Sequence, residues 1–228
     1  MFNGKMKALT FSYDDGVTQD ERLVEIFNKY NLKATFNLNS ALLGMAGELK
    51  LDNKYVSHNK IKSDMVRSLY SGHEVAVHTL THPDLTQLSC DAVVQQIEND
   101  RKCLEDLVGY DVVGMAYPGG CNNDEVADII KKHTKIQYAR TITLTNGFDL
   151  QNNLYRFNPS AFHKNIDGLF EMAKRFIETE TDVPQIFYIW GHSYEFDVWE
   201  TWDAFEEFCK YVANREDIYY GTNKDVLL

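Results

Sequence analysis

The chain has 228 residues, 44% of them hydrophobic, and its 34 acidic against 23 basic residues give a formal charge of −11. That length suits one domain, residues 1–228, around one core, and the acidic balance excludes a nucleic-acid partner, which needs basic surface, and argues against docking on anionic lipid. No run is apolar enough to span a bilayer, and the opening MFNGKMKALTF lacks the charged, apolar and small-residue order of an export signal. A cytoplasmic protein is expected, its four scattered cysteines reduced and unsuited to a disulfide frame or a zinc knuckle.

In chain order, KALTFSY (7–13) reads as a strand, and DERLVEIFNKY (20–30) as a helix with Leu23, Ile26, Phe27 and Tyr30 on one face. ATFNLN (34–39) is a second strand. Residues 41–60 are polar and read as an irregular excursion, and IKSDMVRSLYS (61–71) as a helix stopped by Gly72. HEVAVHT (73–79) is a strand. The stretch 90–109 is a long helix with Ser89 as N-cap and Gly109 as stop. VVGMAYP (112–118) is a strand, DEVADIIKKH (124–133) a helix and IQYARTI (136–142) a strand. Residues 143–162 form a long loop with a strand at LYRF (154–157). Then come a helix at 166–180, a strand at QIFYIWGH (185–192), a helix at 202–215 and a last short strand at IYYGT (218–222). Strands alternating with helices imply parallel pairing through helical crossovers. Seven or eight such units in this length favour a closed α/β barrel over an open sheet.

In such barrels chemistry collects at the carboxyl ends of the strands. The first strand ends in Asp14, Asp15 and Gly16. Successive strand residues point to opposite faces, so a core has little use for both acids. The third ends in HTLTHP, with His78 and His82. The fourth ends in AYPGG, with Tyr117 and Gly119. The fifth carries Arg140, and the strand at 185–192 ends in WGH, with Trp190 and His192. Two histidines four apart can face one ion if the chain makes a helical turn there, and a carboxylate from another strand completes a His2Asp set with open positions. Alone, HxxxH more often marks a turn histidine and a half-buried strand histidine, and Asp-Asp-Gly a solvated turn. Together on one rim they point to a metal site. One acid of the pair then binds the ion and the other is free to take a proton from water, with His192 as the acid. His58, His73 and His133 are assigned no role, and His163 is expected at the surface.

FSYDDG, HTLTHP, AYPGG and WGH stand in the order of the motifs of the polysaccharide deacetylases, the NodB-homology or carbohydrate esterase family 4 domain. The resemblance runs from Leu9 to about His192. It implies a distorted barrel of about seven parallel strands and a divalent metal, usually zinc, with cobalt, nickel or iron as alternatives. It also implies hydrolysis of a linear carbon–nitrogen amide, the N-acetyl group of an N-acetylated carbohydrate of the N-acetylglucosamine type. Mapped by motif, Asp14 resembles the base, Asp15, His78 and His82 the metal triad, and His192 the acid. The chain departs from the pattern in four places. Ala116 stands where the third motif carries an arginine, with Arg140 on the next strand as candidate replacement through a two-bond brace. Gly119 replaces the aromatic after the proline, leaving a backbone N–H as oxyanion donor. Trp190 replaces a leucine, either walling the acetyl pocket or filling the barrel. The aspartate that should hold the acid histidine is missing, with Asp149 as stand-in. Other readings are an amidohydrolase of a non-sugar amide or cyclic ureide on the same scaffold, or a catalytically silent carbohydrate-binding protein.

Overall fold

The computed structural model describes residues 2–228. One sheet dominates it. Strand β1 (Lys7–Asp14) is buried at every position, as parallel strands covered on both faces must be. It is followed by helix α1 (Asp20–Lys29) and strand β2 (Ala34–Leu38). A two-stranded hairpin, β3 (Glu48–Leu51) and β4 (Lys54–Ser57), precedes helix α2 (Val66–Leu69) and strand β5 (Glu74–Val77). Then come α3 (Cys90–Val108), β6 (Gly114–Ala116), α4 (Asp124–His133), β7 (Tyr138–Arg140) and β8 (Ala161–Phe162). The chain continues through α5 (Ile166–Glu178), β9 (Gln185–Gly191), α6 (Glu195–Trp199), α7 (Trp202–Val212), β10 (Ile218–Tyr220) and α8 (Asn223–Leu227).

The large sheet runs in the order β7-β6-β5-β2-β1-β9-β8, with β10 beside the start of β1, and every pairing in it is parallel. It curls on itself. Phe157 pairs with β7, its N–H donating to Ala139 and its carbonyl accepting from Thr141, while Ser160 N–H reaches Tyr188 on β9. The run 157–162 therefore bridges the two edges, giving the distorted barrel expected. One apolar cluster extends from Leu9 on β1 to Ile218 on β10. No helix among the described residues is long and apolar enough to cross a membrane.

Helix α3 starts and stops as its sequence asks: Ser89 Oγ accepts from Ala92 N–H, and Gly109 closes it at φ 82°. Five other stretches differ from the sequence reading. The excursion 41–60 contains the hairpin. Leu49 and Leu51 alternate with charged residues and face a cluster of Val56, Tyr194, Val198 and Trp199, while Asp52 and Asn53 both take positive φ, as a tight two-residue turn requires. The helix at 61–71 shrinks to one turn, α2, because the chain before it is extended at Lys62 and then 3-10 at Ser63–Met65. LYRF is no strand. Leu154–Arg156 is a 3-10 turn capped by Asn153, and the strand comes later, at β8. Helices α6 and α8 are too short to register as periodicity.

Below the rim the barrel interior is polar and tightly filled. Glu74 accepts from Tyr138 Oη (2.9 Å) and Thr35 Oγ1 (2.7 Å), and Asn223, at the start of α8, accepts from Thr10 Oγ1 (2.9 Å). Gly114 leaves the space that Tyr138 occupies, since a Cβ there would sit 2.0 Å from the phenol oxygen. Gly114→Ala should therefore lower unfolding free energy by about 1–3 kcal/mol through overpacking, read by urea denaturation. An unchanged midpoint would show that Tyr138 can move aside without cost.

Candidate active site at the strand ends

The two adjacent acids share one rim because the chain breaks strand geometry between them. Asp14 is the last residue of β1, whereas Asp15 takes φ +81° and Gly16 φ +59°. That left-handed turn swings the second carboxylate to the side of the first. Asp14 is 2% exposed. Arg140 Nη2 contacts both of its carboxylate oxygens, and Asn37 Nδ2 donates to Oδ1 at 2.8 Å. Burial alone would raise the Asp14 pKa, but Arg140, then His78 and His192, bring it below the ordinary value. Strand register explains how Arg140 arrives: it pairs directly with Ala116 on β6. The position where the motif lacks an arginine and the position that supplies one are therefore level neighbours. Trp190 lies under the guanidinium, 4.7 Å from Cζ to ring centroid, and packs in turn at a tilt on Phe162, 4.8 Å between centroids. It backs the arginine and does not line the cavity.

Asp15, His78 and His82 each offer a ligand atom, all within 4.8 Å of one another. The histidines converge without a helical turn. The chain leaving β5 bends through positive φ at Thr79 and His82, and Thr79 Oγ1 accepts from His82 N–H at 3.1 Å. Asn39 Nδ2 holds the Thr79 carbonyl at 2.9 Å. His78 Nδ1 lies 2.9 Å from the Ala116 carbonyl, an oxygen that can only accept, so Nδ1 carries the proton. Its Nε2 is buried without a partner. Burial brings His78 down to about 4, despite Asp14 and Asp15, so the ring is neutral with a free lone pair. A neutral imidazole whose other nitrogen is fixed by a carbonyl suits a metal ligand, and this orphaned nitrogen shows that the donor set fits a divalent cation.

Two residues that sequence reasoning passes over complete this cluster. His58 Nε2 lies 3.1 Å from Asp15 Oδ2, and Lys60 donates to the Asp15 carbonyl at 2.7 Å and sits 3.4 Å from Oδ1. Both follow β4, and no spacing in the chain ties them to Asp15. Burial would raise the Asp15 pKa, yet His58, His192, Lys60 and His78 together hold it well below the usual value.

His192 follows β9, and since Tyr13 pairs with Gly191 it stands beside Asp14, its Nε2 4.0 Å from Oδ2. Because β1 and β9 are adjacent strands, the two candidate groups stand side by side on the rim. Glu195, three residues on at the head of α6, accepts from His192 N–H at 2.9 Å and lies 3.2 Å from Nδ1. Its other partner is His163 Nε2 at 2.7 Å, with His163 Nδ1 3.1 Å from Tyr13 Oη. Burial lowers His192, but Glu195, Asp15 and Asp14 outweigh it and carry it up to about 9. Glu195 itself falls to about 2, where His163 and His192 overcome burial. His163 is thus deeply buried, not a surface residue. Asp149 bridges to Gln185 at the opposite end of β9 and cannot hold His192. Tyr117 also lies off the site, its hydroxyl donating to the Tyr155 carbonyl at 2.7 Å. Gly119 and Tyr194 do line the cavity.

The family model described as polysaccharide deacetylase matches residues 2–137. The peptidoglycan-N-acetylglucosamine deacetylase PgdA of Listeria monocytogenes is 30% identical over 127 residues, 54% of this chain and 24% of its own. The chain therefore spans about a quarter of the length of the curated relatives it matches first. Among solved structures, the Streptococcus pyogenes deacetylase PplD superposes with TM-score 0.58 at 22% identity, over 71% of this chain and 68% of its own. The Xyl-CE4 domain of a multidomain xylanase from the hindgut metagenome of Trinervitermes trinervoides reaches 0.61 at 20% identity, over 97% and 89%. At these identities the structural likeness establishes the fold.

The buried Asp14–Arg140 pair makes a pH-dependent prediction for the metal-free protein. With its pKa depressed, Asp14 contributes stability that is present above the unfolded value, about 3.9, and lost as pH falls through the folded value. Arg140→Met leaves the carboxylate buried without its main cation. It should cost about 3–5 kcal/mol at pH 7 and less towards pH 5, as Asp14 takes up a proton. Urea denaturation at both pH values checks this; an equal loss at both would mean that the guanidinium acts through packing alone.

Proposed function

Because the chain belongs to the polysaccharide deacetylase family, we propose that it is a divalent-metal-dependent hydrolase that removes N-acetyl groups from N-acetylated amino sugars of the N-acetylglucosamine type. The observation that carries the reading is the convergence of Asp15, His78 and His82 beside a braced Asp14 and a His192 paired to Glu195. The name of the Listeria relative, a peptidoglycan-N-acetylglucosamine deacetylase, supports the substrate class.

Asp15, His78 and His82 would hold the cation, zinc being the ion best matched to two imidazoles and a carboxylate; when bound, it supplies Lewis acidity to water and to the amide carbonyl. The protein's own groups move the protons. His58 occupies Asp15 Oδ2, which leaves Oδ1 turned to the two histidines. Asp14 takes the proton from water as the water oxygen bonds to the acetyl carbon. Arg140 and Asn37 hold its carboxylate in place throughout. His192 then delivers a proton to the nitrogen as the carbon–nitrogen bond breaks, releasing acetate and an amine. Without that proton the nitrogen would leave as an amide anion, which is far too basic. Glu195 keeps His192 charged until the nitrogen needs it.

Acetate release from N-acetylglucosamine oligomers should require a divalent cation and stop on chelation. Asp14→Asn should keep the metal and lose kcat by about three orders of magnitude or more, while His78→Ala should lose metal and activity together. A fully active Asn variant would assign the base elsewhere.

The alkaline limb of kcat/KM should belong to His192, because the acid is useless once deprotonated. Glu195→Gln removes the strongest influence holding the proton and leaves burial opposed only by Asp15 and Asp14, so the His192 pKa falls and the limb moves to lower pH. The rate at pH 8 should drop far more than the rate at pH 6. An unmoved limb would give that proton to another group.

A further inference from the structure

His163 lies behind the acid, 1% exposed, and does not line the cavity. Phe162, Phe196, Trp199 and Phe205 surround its ring, Phe196 closest at 4.3 Å between centroids. An apolar ring would fill such a box, yet this one has a polar partner at each nitrogen. Nε2 lies 2.7 Å from Glu195 Oε2, and Nδ1 lies 3.1 Å from Tyr13 Oη. Burial brings the His163 pKa below its ordinary value despite Glu195, so the ring is neutral. A carboxylate can only accept, so Nε2 carries the proton and Nδ1 accepts from the phenol. Burial, then Cys209, Glu195 and Asp20, raise Tyr13 well above its ordinary value, so the phenol keeps the proton it donates. The backbone makes room for this ring directly before the acid: a Cβ on Gly191 would lie 2.5 Å from His163 Nε2.

The oxygen that His163 holds is also the one beside His192. Glu195 Oε2 accepts from His192 N–H at 2.9 Å and lies 3.2 Å from His192 Nδ1, which is buried without an aligned hydrogen-bond partner. Asp14, Asp15 and Tyr194 also face His192, but Glu195 is the carboxylate in contact with both imidazoles. A carboxylate that already accepts a strong hydrogen bond is a weaker base and pulls less on a neighbouring imidazolium. We propose that His163 is a positioning residue for the acid: its Nε2–H holds Glu195 Oε2 out of line with His192 Nδ1, so that His192 is free to release the proton on Nε2 to the leaving nitrogen. The inference rests on the deacetylase reading above.

The test compares His163→Gln with His163→Leu in the metal-loaded protein. Acetate release from N-acetylglucosamine oligomers is followed across pH, with 4-nitrophenyl acetate as control, because a nitrophenolate leaves without a proton. Gln offers an N–H in place of Nε2 and should keep the wild-type profile. Leu removes the donor, so Glu195 turns wholly to His192. The alkaline limb should then move to higher pH, opposite to its shift in Glu195→Gln, and the amide kcat should fall about threefold or more because a stronger hold on the proton makes a weaker acid. KM and the ester rate should not change. A limb that stays or moves down in the Leu variant, or equal losses on amide and ester, would overturn the inference and leave the deacetylase reading standing. If the Leu variant does not fold, the ring nitrogen-15 shifts of the wild type decide: a neutral Nε2–H tautomer across the profile is expected, and an Nδ1–H or charged His163 ring would overturn the inference. No acetate from the wild type would overturn both.

Discussion

A carboxylate that is 2% exposed and must stay ionised needs a cation at hand, and Arg140 against Asp14 meets that need. Removing an ionised group from water is costly unless it is paired and hydrogen-bonded. Here Asn37 adds a donor, and Trp190 closes the far face of the guanidinium. Much of the neighbourhood follows from keeping this pair aligned. Parallel register sets Arg140 level with Ala116. The Ala116 carbonyl meanwhile fixes the tautomer of His78. One short strand thus serves base and ligand together.

The arginine has a chemical consequence. A carboxylate held below its ordinary pKa is a weaker base, and general-base catalysis works best with pKa values near the working pH. A divalent cation held by Asp15, His78 and His82, as proposed, would answer that difficulty, because water acidified by such an ion can be relieved of a proton by a modest base. On the other side Glu195 drives His192 up to about 9. Two titratable groups 4.0 Å apart are pushed in opposite directions, one towards the bare anion and one towards the charged acid. Such divergence is how one site keeps a base and an acid ready at the same pH.

The barrel and its rim are legible in the chain because the strands are short apolar runs and several of them lead into a titratable residue. Asp14, Asp15, His78, His82 and His192 announce themselves by where they end strands. Arg140 is legible only as a vacancy, since Ala116 stands where an arginine is wanted and the next strand offers one. Glu195 is harder: a carboxylate three residues after a histidine is common, and only the turn into α6 brings it back to His192. His163 reads as a loop residue until β8 places it against β9, where Trp190 accepts its backbone N–H. His58 and Lys60 leave no signal at all, because they reach Asp15 through antiparallel pairing between 16–18 and 59–61 that no helical or strand period records. The hairpin could have been found from Asp52-Asn53, a pair that tolerates the positive φ of a tight turn, flanked by alternating leucines.

The hairpin also shows why this barrel's mouth need not resemble that of its relatives even where the rim does. Its outer strands are exposed and charged, its inner leucines pack on Trp199 and Val198, and its base ends in His58 and Lys60. An excursion anchored only by apolar packing could slide. This one is pinned twice at the reacting centre, by His58 on the Asp15 carboxylate and by Lys60 on the Asp15 carbonyl. Any shift of the segment 44–61 is therefore felt at a candidate metal ligand. The excursion and the turn at Asp15 are coupled through two side chains of one segment, so neither can move independently of the other.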